Sequence, residues 1–259
     1  MRRNTYFISD CHLGANYITD HRAHEARVVA FLDSIKHDAK ALYLLGDILD
    51  YWYEYRTVVP RGHVRFFGKL AELADAGVRI TWFTGNHDVW LFDYLSREIG
   101  LRVEKGFRLA DIDGTRFLLS HGDDIPPQPP MYRFTRWCFH NRVCQWLYAA
   151  IHPRWTYVIA HGWSSHNRTS RPEPESNTDQ ERPRRLLEDY CRRHHAGHPE
   201  VKYYVFGHLH LCGTTPIADD AEAVFLGDWI QKDTYAVFDG HTMRVCAFDR
   251  EETTYPTNR

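Results

Sequence analysis

Five short polar segments, each directly after an apolar run, hold the residues that could do chemistry: Asp10-x-His12, Gly46-Asp47-x-x-Asp50, Gly85-Asn86-His87-Asp88, His121-Gly122-Asp123 and Gly207-His208-x-His210. Carboxylate, imidazole and amide oxygen are donors for a divalent cation, and together they suffice for two ions. One ion would take Asp10, His12, Asp47 and His210; the other would take Asp47, Asn86, His121 and His208. Asp47 would bridge, because a carboxylate has two oxygens. The mixture suits Mn, Fe or Zn rather than Ca, and the absence of cysteine from the set argues against a structural zinc site. Two ions roughly 3.5–4 Å apart can hold a hydroxide between them and polarise a phosphoryl oxygen. Each lowers the pKa of bound water, so a strong nucleophile exists near neutral pH. His87 is then placed to reach a substrate oxygen, with Asp88 to orient its ring. Each segment alone reads equally as a turn, Gly-Asp above all; five in this order, each after an apolar strand, read as one site.

Strands must deliver these loops. The runs 6–9, 41–45 and 77–83 are apolar and short, and each ends in one of the segments. Between them, 23–35 carries a helical apolar face behind Asp20 as N-cap, and 66–74 is closed by Gly77. A further helix is expected over 89–99, closed by Gly100. Alternation of this kind argues a doubly wound α/β core, in which ligands gather at the carboxyl ends of strands. Asp113-Gly114 between 107–111 and 116–120 is a hairpin signal. Strand character returns at 201–206, and the short strands 212–217, 223–226, 234–238 and 243–248 read as a second, antiparallel-leaning sheet.

The middle differs. After a Pro-rich break at 125–130, residues 132–151 are dense in aromatic and basic side chains. Another apolar helical piece spans 155–163, a polar loop 164–178 and a charged helix 179–195. The organisation expected is a core of 1–124 and 198–259, with 125–197 as a helical insertion forming a lid over the site.

A length of 259 residues fits one large domain carrying an insertion. The net charge of −2 leaves no broad basic footprint, so nucleic acid is not an expected partner. Six cysteines form no CxxC pair, and Met1-Arg2-Arg3-Asn4-Thr5 leads into a strand without a signal-peptide pattern. A cytoplasmic, reducing setting with free thiols is expected. No apolar run approaches the roughly 20 residues that span a bilayer.

The ordered loops resemble those of the calcineurin-like metallophosphoesterases. The resemblance covers most of the core and implies two stacked mixed β-sheets flanked by helices, a dinuclear centre at the strand ends, and hydrolysis of a phosphoester or pyrophosphate. The stretches 8–13, 42–47, His121-Gly122-Asp123 and Gly227-Asp228-Trp229 are similar to a narrower family, the UDP-2,3-diacylglucosamine pyrophosphatases of lipid A biosynthesis. That similarity implies attack of hydroxide on the phosphorus nearest uridine, release of UMP and 2,3-diacylglucosamine 1-phosphate, and Mn2+ as the usual metal. One position departs: the narrower family commonly has Arg after the metal-binding Asn, where this chain has His87. An Arg offers charge and hydrogen bonds, whereas a His can also move a proton, so activity would depend more on pH.

A diacylated nucleotide sugar needs an apolar chamber and cations. Trp137, Phe139, Trp146, Leu147 and Ile151 could line the first; Arg133, Arg136 and Arg142 supply the second. Each buried acyl methylene is worth about 0.8 kcal/mol. The resemblance further implies that Ser165, Asn167 and Arg168 contact the sugar and diphosphate, and that Tyr132, near a family tyrosine after the His-Gly-Asp motif, binds substrate with Arg136. The same apolar, basic surface could rest on an anionic membrane from the cytoplasmic side. Two alternatives stay open: a metallophosphoesterase for another substrate, such as a soluble nucleotide or phosphoprotein, and a non-catalytic metal-binding module.

Overall fold

Alternating burial along the strands divides the protein into layers. In β1 (Asn4–Ile8), Phe7 faces one core and Tyr6 and Ile8 the other. In β2 (Ala39–Leu45) and β3 (Arg79–Phe83), Leu45 and Phe83 join Phe7, while Leu42, Leu44, Ile80 and Trp82 face the opposite way. The computed structural model that carries this description covers residues 2–125, 128–156, 162 and 177–248.

Two mixed sheets result. The first runs β11 (Met243–Ala247), β10 (Thr234–Phe238), β1, β2, β3 and β4 (Arg102–Glu104), with β1 to β4 parallel and β10 antiparallel to β1. The second runs β5 (Arg108–Ile112), β6 (Thr115–Leu119), β7 (Val201–Phe206), β9 (Ala221–Leu226) and β8 (Cys212–Ala218), with β6, β7 and β9 parallel. Their facing sides enclose Phe7, Leu45, Phe83, Phe117, Leu119, Val205, Val224 and Phe238. Helices cover the outer faces. On the first sheet, α1 (His21–Ser34) and α2 (Val64–Asp75) bury Val28, Phe31, Phe66 and Leu70. Asp20 begins α1 as expected, its carboxylate accepting the Ala23 N–H at 2.8 Å.

Three features differ from the sequence reading. The helix expected over 89–99 is only α3 (Tyr94–Ile99). Its start is fixed from outside: the Glu54 carboxylate accepts the N–H groups of Phe92, Asp93 and Tyr94, and Val89 and Trp90 are buried against Tyr51 and Tyr53. A short strand, β4 (Arg102–Glu104), extends the first sheet beyond β3. The tail is shared between the sheets. β7 (Val201–Phe206), β8 (Cys212–Ala218) and β9 (Ala221–Leu226) complete the second sheet, whereas β10 (Thr234–Phe238) and β11 (Met243–Ala247) join the first. β10 fits there because Ala236 and Phe238 enter the inter-sheet core while Val237 faces the α1 side. The hairpin of β5 (Arg108–Ile112) and β6 (Thr115–Leu119) turns on Asp113 and Gly114 at φ 53° and 77°, the paired left-handed geometry that joins twisted strands.

The described part of 125–197 includes α4 (Pro130–His140), α5 (Arg142–Ala149) and α6 (Asn177–Gly197). α6 packs Leu187 and Cys191 on the outer face of the second sheet, against Leu118, Tyr204 and Phe206. α4 and α5 dock on loops of the first sheet through polar atoms and rings. The Tyr53 hydroxyl donates to Gln145 O at 2.7 Å, Trp90 Nε1 donates to Phe139 O at 3.0 Å, and the Tyr148 ring packs tilted against Trp90 with centroids 4.7 Å apart. No helix among the described residues is long and apolar enough to cross a membrane.

The inter-sheet core yields a first prediction. Phe117 is fully buried between Phe7, Tyr203 and Phe238. Phe117→Ala should destabilise the fold by about 3–5 kcal/mol in chemical denaturation. Phe134→Ala, at a residue 60% exposed, should stay within about 0.5 kcal/mol of the parent.

Candidate metal centre

The carboxyl ends of β1, β2, β3, β6 and β7 meet along one rim of the two sheets and carry the five polar loops there. The backbone at this rim is unusual. Of the eight non-glycine residues described at positive φ, five are Asp10, His12, Asp47, His208 and His210, at 45–64°. Left-handed backbone at residues with a Cβ is held in place only by surrounding structure, and it concentrates at functional sites. Two glycines make the approach possible. A Cβ on Gly46 would stand 2.6 Å from His121 Nδ1, and one on Gly85 would stand 2.5 Å from Asp47 N and closer still to its carboxylate.

Asp10, His12, Asp47 and His121 are buried; His87, His208 and His210 are half-buried. Three overlapping groups bring ligand-type atoms within 4.8 Å of one another: Asp10, His12 and His210; His12, Asp47 and His87; Asp47, His121 and His208. His210 Nε2 lies 3.5 Å from Asp10 Oδ1, His12 Nε2 3.9 Å from Asp47 Oδ2, and His121 Nε2 3.2 Å from Asp47 Oδ2. The Asn86 amide oxygen is buried and makes no hydrogen bond, and the same holds for Asp10 Oδ1 and His121 Nε2.

These atoms fit divalent cations. His121 Nδ1 faces the Leu45 carbonyl at 2.8 Å, and a carbonyl can only accept, so the proton sits on Nδ1. A neutral His121 would turn a lone pair toward a lone pair of Asp47 across 3.2 Å, so a positive charge, a proton or a cation, belongs between them. The electrostatics agree. Burial alone would push the His121 imidazole down, but the facing Asp47 carboxylate takes it well above its ordinary range. Burial opposes the charge on Asp47, yet the surrounding imidazoles, His121 first, hold its carboxyl well below the usual carboxylate range. Burial and then the charge of His121 push His208 down to about 3, so it stays neutral and free to act as a donor. Asp10 is aimed by its other oxygen, which accepts the His208 N–H at 2.9 Å and the Ser9 hydroxyl. Asp47 Oδ1 accepts the His87 N–H at 2.8 Å.

His87 lies beside this group, its ring 4.8 Å from that of His12. Its expected orienting partner, Asp88, is otherwise engaged. Asp88 Oδ1 accepts the Gly85 N–H at 2.7 Å, and Oδ2 accepts the Ile48 N–H at 2.9 Å and Trp82 Nε1–H at 3.1 Å. Asp88 thus ties the β3 loop to the β2 loop from beneath, and burial, then the charge of Asp47, raises its carboxyl to about 6. The ring of His87 is set instead by Asp50, whose carbonyl lies 3.0 Å from Nδ1 and whose carboxylate lies 3.4 Å away. The proton is then on Nδ1, and Nε2 is the end available to a substrate oxygen or a cation. Asp50 also faces His12 Nδ1 at 3.2 Å. Its spacing in Gly46-Asp47-x-x-Asp50 was the available signal for this second task.

Tyr132 and Arg136 project from α4 onto Asp123, two residues beyond His121. The Tyr132 hydroxyl donates to Asp123 Oδ2 at 3.1 Å, and Arg136 pairs with the same oxygen. With Gly85, Asn86 and Phe139 they line a small cleft beside the centre. Ser165, Asn167 and Arg168 lie outside the described residues. Of the five side chains expected to line an acyl chamber, Phe139 turns inward against Trp90, with ring centroids 5.0 Å apart. Trp137, Trp146, Leu147 and Ile151 are exposed, because Tyr51, Tyr53, Trp90 and Tyr148 already fill the space beneath the helices.

Known proteins are similar to this chain. The family model described as calcineurin-like phosphoesterase matches residues 4–212. A UDP-2,3-diacylglucosamine hydrolase of Porphyromonas gingivalis is 43% identical over 257 aligned residues, covering 94% of this chain and 97% of that protein. Proteins of the same name from Serratia proteamaculans and Actinobacillus succinogenes are 28% and 27% identical, each covering 87% of this chain and 91% of their own.

Gly85→Ala should drive a methyl group into Asp47. We expect bound metal, measured by elemental analysis after saturation and desalting, to fall to less than half of the parent's, while far-UV circular dichroism stays that of the parent.

Proposed function

The chain belongs to the calcineurin-like phosphoesterase family, and on that footing we propose that it hydrolyses the pyrophosphate of UDP-2,3-diacylglucosamine to UMP and 2,3-diacylglucosamine 1-phosphate, a step of lipid A biosynthesis. The observation that carries this reading is the P. gingivalis relative: its 94% coverage of this chain must take in most of 125–197, the part that would meet the lipid. The clustered donors support a metal-dependent hydrolase, and the family is one of phosphoesterases.

In this reading Asp10, His12, Asp47 and His210 hold one divalent ion, and Asp47, Asn86, His121 and His208 hold the second. The mixed oxygen and imidazole donors suit Mn, Fe or Zn, and among these we favour Mn2+ because it is the usual metal of the family that the chain resembles. When bound, the pair supplies a water acidified to near neutrality and positive charge against the phosphoryl oxygens. The protein's own groups do the rest. Leu45 O keeps the His121 proton on Nδ1 and its lone pair toward Asp47. His87, oriented by Asp50, turns Nε2 toward the reacting group, where a proton there can be given to the leaving oxygen. Asp88 acts by holding the two loops in register. Tyr132 and Arg136, steadied by Asp123, face the diphosphate from the cleft beside Asn86. Ser165, Asn167 and Arg168 would contact the sugar and diphosphate. The core is 1–124 and 198–259 and the insertion 125–197; its α4–α5 pair forms the lid proper, since α6 lies on the second sheet.

The outer face of that lid suggests where the substrate comes from. Met131, Trp137 and Trp146 are 73%, 57% and 71% exposed, and Arg133, Arg142 and Arg154 are exposed around them. Apolar rings among guanidinium groups suit an anionic membrane surface, reached from the cytoplasmic side. The acyl chains would pass from the bilayer along α4 and α5 toward the cleft.

Two measurements test this. UMP release from UDP-2,3-diacylglucosamine with Mn2+ should be rapid and should fall about a hundredfold or more in His121→Ala and Asp47→Ala, since even outer partners of metal ligands are worth 10–100-fold. Equal efficiency on a short soluble phosphodiester would instead point to another substrate. Co-sedimentation with phosphatidylglycerol vesicles should exceed that with phosphatidylcholine vesicles. The double variant Trp137→Ala/Trp146→Ala should lose more than about tenfold in affinity, as each fully buried apolar side chain is worth about 1.5–3 kcal/mol.

A further inference from the structure

Beyond the loops already described, one more Gly-Asp pair stands at a strand end. Gly227-Asp228 follows β9, and Asp228 is buried at 3% exposure. Its carboxylate has two separate tasks. Oδ1 accepts the N–H groups of Ile230 at 3.0 Å and Gln231 at 2.8 Å, which shapes the loop. Oδ2 accepts Lys232 Nζ at 2.7 Å and faces His210 Nδ1 at 3.7 Å, a charge contact longer than a hydrogen bond. Lys232 Nζ also donates to His210 O at 2.8 Å. The acid and the lysine therefore grip His210 by its ring and by its main chain. The grip matters because His210 sits at φ 54°, where a residue with a Cβ stays only if neighbours hold it. The same loop reaches the partner of His210: the Trp229 N–H donates to Asp10 O at 3.1 Å.

We propose that Asp228, clamped by Lys232, is the positioning residue of His210, keeping its imidazole proton on Nδ1 and its Nε2 lone pair on the ion shared with Asp10 and His12. The proposal rests on the reading of His210 as a ligand. Lys232 pairs with the same Asp228 oxygen that faces His210, so Asp228 is not a ligand itself. What it adds is a negative charge behind the ring, which orients the imidazole so that Nε2 faces Asp10. His121, in the other set of ligands, is backed by the neutral Leu45 carbonyl. Loss of Asp228 should therefore act on one ion and spare the other.

Asp228→Asn tests this, because the amide retains an oxygen for Ile230 and Gln231 while removing the charge. Mn2+ is titrated into the metal-free protein and free Mn2+ is read by electron paramagnetic resonance. One of two binding steps should weaken about 10–100-fold, and it should be the step that His210→Ala weakens. The second step should match the parent. Should His210→Ala lose a step while Asp228→Asn titrates as the parent, the positioning role is wrong and the ligand reading survives. Should His210→Ala itself titrate as the parent, the ligand reading fails, and the positioning role with it. A second readout needs no Asp228 variant: nitrogen-15 spectra of histidine-labelled, metal-free protein, with His210 assigned by its loss in His210→Ala. The Nδ1–H tautomer is expected for His210, and the Nε2–H tautomer would overturn the proposal.

Discussion

A carboxylate buried as deeply as that of Asp47 must be matched by positive charge or hydrogen-bond donors, and the site is built around meeting that demand. Removing an ion from water costs several kcal/mol even after relaxation. The His87 N–H meets one oxygen, and His12 and His121 turn nitrogen lone pairs or protons toward the other. No larger residue than glycine fits at 46 or 85 beside these groups. The strands follow from the same demand. Phe7, Leu45, Phe83, Phe117 and Val205 pack the two sheets face to face, and only that packing brings loops of both sheets to one rim. The left-handed backbone at five of the donor positions is local strain that this packing sustains.

The Asp123 carboxylate ties the centre to α4. Asp123 is two residues from His121 and holds both Tyr132 and Arg136 of α4. Tyrosine hydroxyls and the Trp90 indole fasten the rest of α4 and α5 to loops of the first sheet. The inner face of the α4–α5 pair is thus committed to docking, and Met131, Trp137, Trp146 and Leu147 are left outside. A substrate with a diphosphate and acyl chains matches that division, with a polar end at Asn86 and an apolar end at the exposed helices.

Much of this was legible in the sequence where function and local pattern coincide. Apolar runs ending in Asp, His and Gly marked the strand ends, because a buried strand and a polar loop leave opposite compositions side by side. Asp20 and the Asp113-Gly114 turn were readable because their conformational reasons are local. What escaped was set at long range. The start of α3 is chosen by Glu54, some forty residues earlier, and the place of β10 by the edge of β1. Asp88 looked like the partner of His87 because it is adjacent; the fold gives that place to Asp50. The exposed rings of α4 and α5 read as a chamber because periodicity shows a face but not what fills the space behind it.

The most direct test of the account is the anomalous scattering of the protein crystallised with Mn2+. Two peaks roughly 3.5–4 Å apart on either side of the Asp47 carboxylate, one toward Asp10, His12 and His210 and the other toward Asn86, His121 and His208, are the expected result. A single peak, or peaks away from Asp47, would contradict it.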